Sequence, residues 1–504
     1  MIRNKGTLAR LASRAIRVLL LVAALLFTVL LAWAFESRGM PDFHVWHTRT
    51  LSAEFSAGDA TSPGGLSGYL EREDRLFAEL HEQVYTRGEP GEGLTYSRYL
   101  SGGPQDPQRG ARNWNRTFEL VPERIVGGAL LLHGLTDSPY SLRRIAEVLH
   151  ARGFYVLGLR LPGHGTIPAA LTEVHWRDWL AASRIGARHV AERVGEERPF
   201  VMAGYSNGGA LTVKYSLDAL ASAELRVPDR VFLFSPEVGI APVAMIADSH
   251  EILSFLPYFA KFKWLSIEPE FDPYKYNSFP KNAAQQAYDL TEAIRDQVHE
   301  ARDDGSFAGF PPAMTFLSWI DSTVETSATV AELYGQLENG DSELVVFDVN
   351  RFDRLAGFFP AARGAALARL EARGDLPYRL TVIGNAASDS HATAERTRPP
   401  RSVAFSSTVL PYSWPFGVYS LAHVAVPFPP DDPVYGDGSA DRGDYAGLRL
   451  GALQPRGETR LLTAPVGQLM RLRHNPFFEY VEARVAGEID DVVAVRGVGS
   501  RALY

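Results

Sequence analysis

The 504-residue chain is 46% hydrophobic and 22% charged, the balance of a folded globular protein rather than a disordered or fibrous one. It carries a net charge of −8 and no cysteine, which excludes disulfides and a lipid-modified cysteine. Length alone admits two or three domains, but alternating strand and helix signals from about residue 118 to 350 argue for one elaborated α/β domain with insertions.

The first element is a leader. Arg3, Lys5, Arg10, Arg14 and Arg17 precede an uncharged apolar stretch from Val18 to Phe35, about the minimum length for a helix that spans a bilayer. Positive charge on its N-terminal flank keeps that flank in the cytoplasm and sends the rest of the chain across. Ala32-Trp-Ala34 also fits a signal-peptidase site, so residues 1–35 read as a membrane anchor or a cleaved signal peptide. Without the leader's five basic residues, the net charge of −8 becomes −13. An acidic body with no basic run argues against nucleic acid. Residues 36–117 form an N-terminal extension. In it Tyr69, Leu70, Leu76, Phe77, Leu80 and Val84 recur at helical spacing, the apolar face of a helix docked on the body.

The main domain is expected over 118–504. Gly128-Ala-Leu-Leu-Leu-His133 reads as an apolar strand that stops at His133-Gly134, with a helical pattern from Ser141 to Arg152. Leu161-Pro-Gly-His-Gly-Thr166 is a loop, and Trp176-Arg-Asp-Trp179 opens a helix that His175 precedes. Then Phe200 to Ala203 reads as a buried strand entering a sharp turn with Ser206 at its apex. A helix follows from Gly209 to Leu220. Gly-Tyr-Ser-Asn-Gly fits the Gly-x-Ser-x-Gly elbow, in which only small residues fit two positions either side of the serine. Such a turn lifts the hydroxyl above the sheet and aims a helix N-terminus at whatever the serine attacks.

In this order and spacing, His133-Gly-Leu-Thr-Asp-Ser-Pro139, Leu-Pro-Gly-His-Gly-Thr, Trp-Arg-Asp-Trp and Gly-Tyr-Ser-Asn-Gly resemble the bacterial carboxylesterase and monoacylglycerol lipase branch of the α/β-hydrolases, close to the serine aminopeptidase type. The resemblance is tight over about 118–240 and looser beyond. It implies an α/β-hydrolase fold: a mostly parallel central sheet flanked by helices, with a cap insertion and an extra insertion before the catalytic histidine. It also implies a nucleophile at Ser206 and oxyanion-hole N–H groups at Leu135 and Asn207, each such donor stabilising the transition state by about 3–4 kcal/mol. His133, Gly134, Gly204 and Gly208 support these groups. Methionine is usual after the serine in that branch; here Asn207 stands there, its backbone role intact but its side chain polar. A metal role for His133 finds no second ligand at i+4. His164 precedes the serine and reads as a structural hydrogen-bonder.

Downstream, the sixth strand of the fold is expected at Arg230 to Phe234, with Glu237 just after it. A cap is expected over about 240–312. Leu253, Phe255, Leu256, Tyr258, Phe259, Phe262 and Trp264 crowd one part of it, either as an acyl-binding lid or as ordinary packing. Asp321 ends an apolar strand from Ala313 and is the candidate triad acid, with helix capping as its plainer role. The eighth strand is expected at Ser342 to Val349. An insertion of about 351–415 must then leave the sheet and return before the histidine. His423, in a short apolar segment, is favoured as the base over His391, which lies in a polar loop, and over His474, in a basic helical pattern.

The expected chemistry is serine hydrolysis of carboxylic esters of lipid-like type through an acyl-enzyme on Ser206, with no cofactor and no metal. The expected partners are a small-molecule or lipid ester and, through the leader, the membrane. In a bacterium that is a single pass of the inner membrane with the body in the periplasm, or release to the periplasm after cleavage. Two alternatives stand: an aminopeptidase in which Glu237 meets a free amine, and a non-catalytic envelope protein on the same frame. Oligomeric state, acyl length and head group are open.

Overall fold

The central strands of this chain, Gly127–Leu132, Phe154–Leu159, Phe200–Tyr205 and Ala313–Ser318, carry no charge and are buried along their whole length, as a parallel sheet covered by helices requires. The computed structural model describes residues 5–61, 64–86, 95–239, 256–321, 323–324, 326–338, 340–352, 361–416, 418–439, 447–452 and 470–497. Helix α1 (Lys5–Gly39) is followed by a single turn α2 (Val45–Thr48) and by α3 (Gly65–Leu80). Next come β1 (Phe118–Leu120), β2 (Gly127–Leu132), α4 (Arg143–His150), β3 (Phe154–Leu159), α5 (Trp176–Val194), β4 (Phe200–Tyr205), α6 (Asn207–Ala221) and β5 (Arg230–Phe234). A two-stranded ribbon, β6 (Trp264–Ser266) and β7 (Phe279–Pro280), precedes α7 (Lys281–Asp303), β8 (Ala313–Ser318), the short α8 (Thr326–Ala328) and β9 (Glu343–Phe347). Helix α9 (Ala361–Ala372) leads to β10 (Arg379–Asn385), β11 (Ala392–Arg398) and β12 (Ser406–Ser413). The chain continues through β13 (Val418–Leu421), β14 (Met470–Leu472) and α10 (Phe478–Val495).

Ten strands form one sheet in the order β1-β3-β2-β4-β5-β8-β9-β10-β11-β12. From β3 to β10 every pair is parallel, while β1 and the β10–β12 meander are antiparallel. One apolar core lies under α3, α5, α6 and α7, the other under α4 and α10. This is the α/β-hydrolase fold. Because β2 sits between β3 and β4, the winding reverses there, and a crevice opens beyond the carboxyl ends of β2 and β4, where open α/β sheets bind ligands.

Two expectations change and a third, left open, is decided. The segment after β9 does not leave the sheet: Arg379–Asn385 pairs in parallel on the free edge of β9, and two more strands extend it. An edge of unpaired N–H and C=O groups is satisfied by whatever strand follows, and α9 gives the crossover length that a parallel pair needs. Second, α10 starts at Phe478, so His474 lies in the loop before it. Third, the described aromatics of the cap cluster, Phe259, Phe262 and Trp264, follow the packing reading. Phe262 and Trp264 are buried, and Trp264 meets Phe43 and His47 of the N-terminal extension. Leu253 and Phe255 lie outside the described residues.

The extension docks as its periodicity predicts, with Tyr69, Leu76, Leu80 and Val84 buried. It also holds the loop after β3. Buried Arg160 pairs with Glu54 at 2.9 Å and Glu73 at 3.1 Å, and Tyr69 donates a hydrogen bond to the Arg160 carbonyl. Among the described residues one helical stretch, Ser13–Gly39, is long and apolar enough to cross a membrane.

Candidate active site

β4 ends at Tyr205 and α6 begins at Asn207, leaving Ser206 alone in the turn at φ 53°, ψ −120°. A non-glycine residue takes that conformation only where its surroundings enforce it. Here the Ser206 N–H donates to the Phe234 carbonyl, and the Ser206 carbonyl accepts from Ala210 and Glu237. The flanking glycines are steric necessities. A Cβ on Gly208 would stand 2.0 Å from the Leu132 carbonyl oxygen, and one on Gly204 would stand 2.3 Å from that of Gly208.

The loop after β2 comes equally close. A Cβ on Gly134 would approach the Tyr205 ring to 3.0 Å and the Ser206 Cβ to 3.1 Å. Leu135 faces the cavity, and the hydrogen bonds of the described residues leave its N–H unclaimed. Asn207, as the first residue of α6, has an N–H with no acceptor inside the helix. His133 pins this loop: its Nδ1–H donates to the Gly134 carbonyl and its Nε2 accepts from the Leu161 N–H at 3.0 Å. Burial holds the ring well below the usual imidazole range, and His164 nearby adds to this. Both ring nitrogens are thus committed to structure. His164 is buried, donates to the Pro162 carbonyl and is lowered to about 3 by burial. The ribbon loop braces the same segment, with the Tyr276 N–H on the Thr136 carbonyl and Lys275 Nζ 2.9 Å from Asp137.

Asp321 and His423 are 102 residues apart in sequence and meet at 2.6 Å, Oδ2 to Nδ1. The carboxylate only accepts, so Nδ1 carries the proton and Nε2 is left as the free basic nitrogen. The other carboxylate oxygen, Oδ1, takes the N–H groups of Thr323 and Val324, so turn capping and histidine contact coexist in one side chain. His423 sits in a short turn just after β13, buried, with its ring 5.4 Å from that of Tyr205. Ser206 and His423 line one cavity of about 460 Å³, within the usual size of a ligand site. His391 is elsewhere, stacked on Phe352 at 4.4 Å and 3.3 Å from the Asn350 amide.

Glu237 lines this cavity too. It is buried, and one of its oxygens has no hydrogen-bond partner. Burial pushes its carboxyl up to about 7; His423 opposes the rise and Asp321 adds to it. The residues that sequence reasoning missed come from the ribbon loop and from beyond His423: Asp272, Lys275, Tyr276 and Arg473. The first three carry a signal, a polar Asp-Pro-Tyr-Lys-Tyr-Asn run shortly after the aromatic cluster of the cap. Arg473 carries none.

Residues 125–348 match the family model described as serine aminopeptidase, S33. An 86-residue stretch, 17% of the chain, is 35% identical to the thermostable monoacylglycerol lipase of Bacillus sp. (strain H-257) and spans 33% of that protein's length. Among solved structures, one reported with the metagenome-derived lipolytic enzymes LipS and LipT is 21% identical, with a TM-score of 0.37 over 52% of this chain and 98% of its own. The monoacylglycerol lipase of Paleococcus ferrophilus is 16% identical, with a TM-score of 0.35 over 46% of this chain and 88% of its own.

Proposed function

On the frame of an α/β-hydrolase of the monoacylglycerol lipase and esterase branch, we propose that this protein is a serine hydrolase that cleaves carboxylic esters through an acyl-enzyme on Ser206. The observation that carries the reading is the 2.6 Å contact of Asp321 with Nδ1 of His423, whose side chain lines the same cavity as the strained Ser206. In this reading His423 Nε2 takes the Ser206 proton as the oxygen attacks the ester carbonyl. Asp321 fixes the tautomer and stabilises the imidazolium, and the N–H groups of Leu135 and Asn207 receive the oxyanion. The imidazolium then protonates the leaving alcohol, and water repeats the sequence to free the acid.

Lipid-like esters are the favoured substrate class, in keeping with the lipases it resembles and with α1. Helix α1 would anchor the enzyme in the inner membrane with its body on the exported side. The test uses the detergent-solubilised full chain, a fluorophosphonate probe and a p-nitrophenyl ester series. Labelling should vanish in Ser206→Ala, and turnover should vanish in His423→Ala but persist in His391→Ala. Retained labelling in Ser206→Ala would refute the nucleophile. An aminopeptidase reading draws on Glu237 at the cavity wall; cleavage of amino-acid arylamides in preference to esters would favour it.

A further inference from the structure

Four charged side chains line the catalytic cavity with Ser206 and His423, and two of them are held by partners. Asp272 accepts hydrogen bonds from the Tyr435 hydroxyl and from the N–H groups of Tyr274 and Lys275. Lys275 is paired with Asp137. Glu237 has a carboxyl whose burial favours the neutral form. Arg473 remains. It is half-buried, its Nε is shut off from water without a hydrogen-bond partner, and no carboxylate among the described residues pairs with it.

The backbone explains why it is there. β13 and β14 run parallel, with Leu421 beside Leu472. The first strand runs out into His423 and the second into Arg473, so two adjacent strand ends bring the base and this cation to one rim. A guanidinium is a planar fork of five donors that matches a carboxylate or phosphate with two parallel bonds. Withdrawing part of it from water without a partner costs free energy, and a substrate that supplies the partner recovers it.

We propose that Arg473 receives an anionic group, carboxylate or phosphate, of the ester bound at Ser206, and so selects charged esters over neutral ones. This rests on the hydrolase reading above and deepens it. A cation that merely balances Asp321 would raise or lower turnover of all esters alike.

The test compares p-nitrophenyl butyrate with the mono-p-nitrophenyl ester of glutaric acid for the carboxylate, and oleoyl glycerol with oleoyl lysophosphatidic acid for the phosphate. It uses the detergent-solubilised full chain beside Arg473→Met and Arg473→Lys. The wild type should favour one anionic member of these pairs, and that pair identifies the group. In Arg473→Met the anionic-over-neutral ratio of kcat/KM should fall at least about tenfold, the worth of one charge-assisted bond, chiefly through KM. Arg473→Lys should restore part of it. A ratio unchanged in Arg473→Met for both pairs overturns the proposal. A second readout does not depend on turnover: glutarate and glycerol phosphate are titrated by tryptophan fluorescence into Ser206→Ala and into Ser206→Ala/Arg473→Met. At least tenfold weaker binding in the double variant supports the site, and equal binding or none in both overturns it. If fluorophosphonate labelling fails while this binding survives, the hydrolase reading falls and the anion site stands.

Discussion

Glu237→Gln separates the charge of that carboxyl from its shape. The protonated acid and the amide are nearly isosteric, so the variant should pack as the wild type does. Burial carries the folded-state value from 4.5 to about 7, so the folded protein holds this proton more tightly than the unfolded chain. The stability it contributes is present in full below about 4.5 and is lost as pH rises through about 7. Linkage over that interval gives a loss of about 1 kcal/mol by pH 5 and about 3 kcal/mol by pH 8. Glutamine does not titrate. The variant should therefore gain on the wild type by about 2 kcal/mol between pH 5 and pH 8, or roughly 2 °C in Tm for a chain of this size. Glu270 is also raised to about 7 by burial, but it is present in both proteins and cancels in the difference. The assay is paired thermal unfolding in detergent at pH 5, 6, 7 and 8. A difference that stays flat across that range would refute the burial argument.

Three other substitutions test the architecture. Asp321→Asn keeps an Oδ1 acceptor for Thr323 and Val324 but offers Nδ1 of His423 a donor. The wrong tautomer should then cut kcat on p-nitrophenyl butyrate by roughly 10⁴-fold with circular dichroism unchanged. Gly134→Ala brings a methyl to about 3 Å from Tyr205 and Ser206; kcat on the same ester should fall by at least about tenfold, with KM and Tm little changed. Arg160→Met takes from buried Glu73 its cation at 3.1 Å and leaves it only that of Arg116 at 3.6 Å; breaking that buried pair should cost about 3 kcal/mol, read as a Tm a few degrees lower.

The sequence announces what is local. A glycine two residues before a serine and another two after it, with a strand on one side and a helix on the other, describe one turn whose geometry is decided within ten residues. The observed elements start and stop within a few residues of that reading. The sheet extension is different. Leu380 to Ile383 is as apolar as any core strand and reads as a strand on composition, but nothing in it names β9 as its neighbour. Pairing is chosen by the edge left open once the preceding strands have assembled. The cap aromatics stayed open between lid and packing for a related reason: Phe43 and His47 cover Trp264, and the extension that covers it lies more than two hundred residues upstream.

Arg473 shows the limit most sharply, and for a reason that applies to the whole site. Each catalytic candidate lies within three residues of the end of a strand: Leu135 after β2, Ser206 after β4, Asp321 after β8, His423 after β13. A strand end is rigid enough to aim a side chain and free enough of the ladder to spare its N–H. Reading such positions requires knowing only that a strand ends there. Arg473 obeys the same rule, one residue after β14. That strand is three residues long and is defined solely by its pairing with β13, so no periodicity marks it. The position that tunes specificity in this reading is legible only after the strand beside His423 has found its partner.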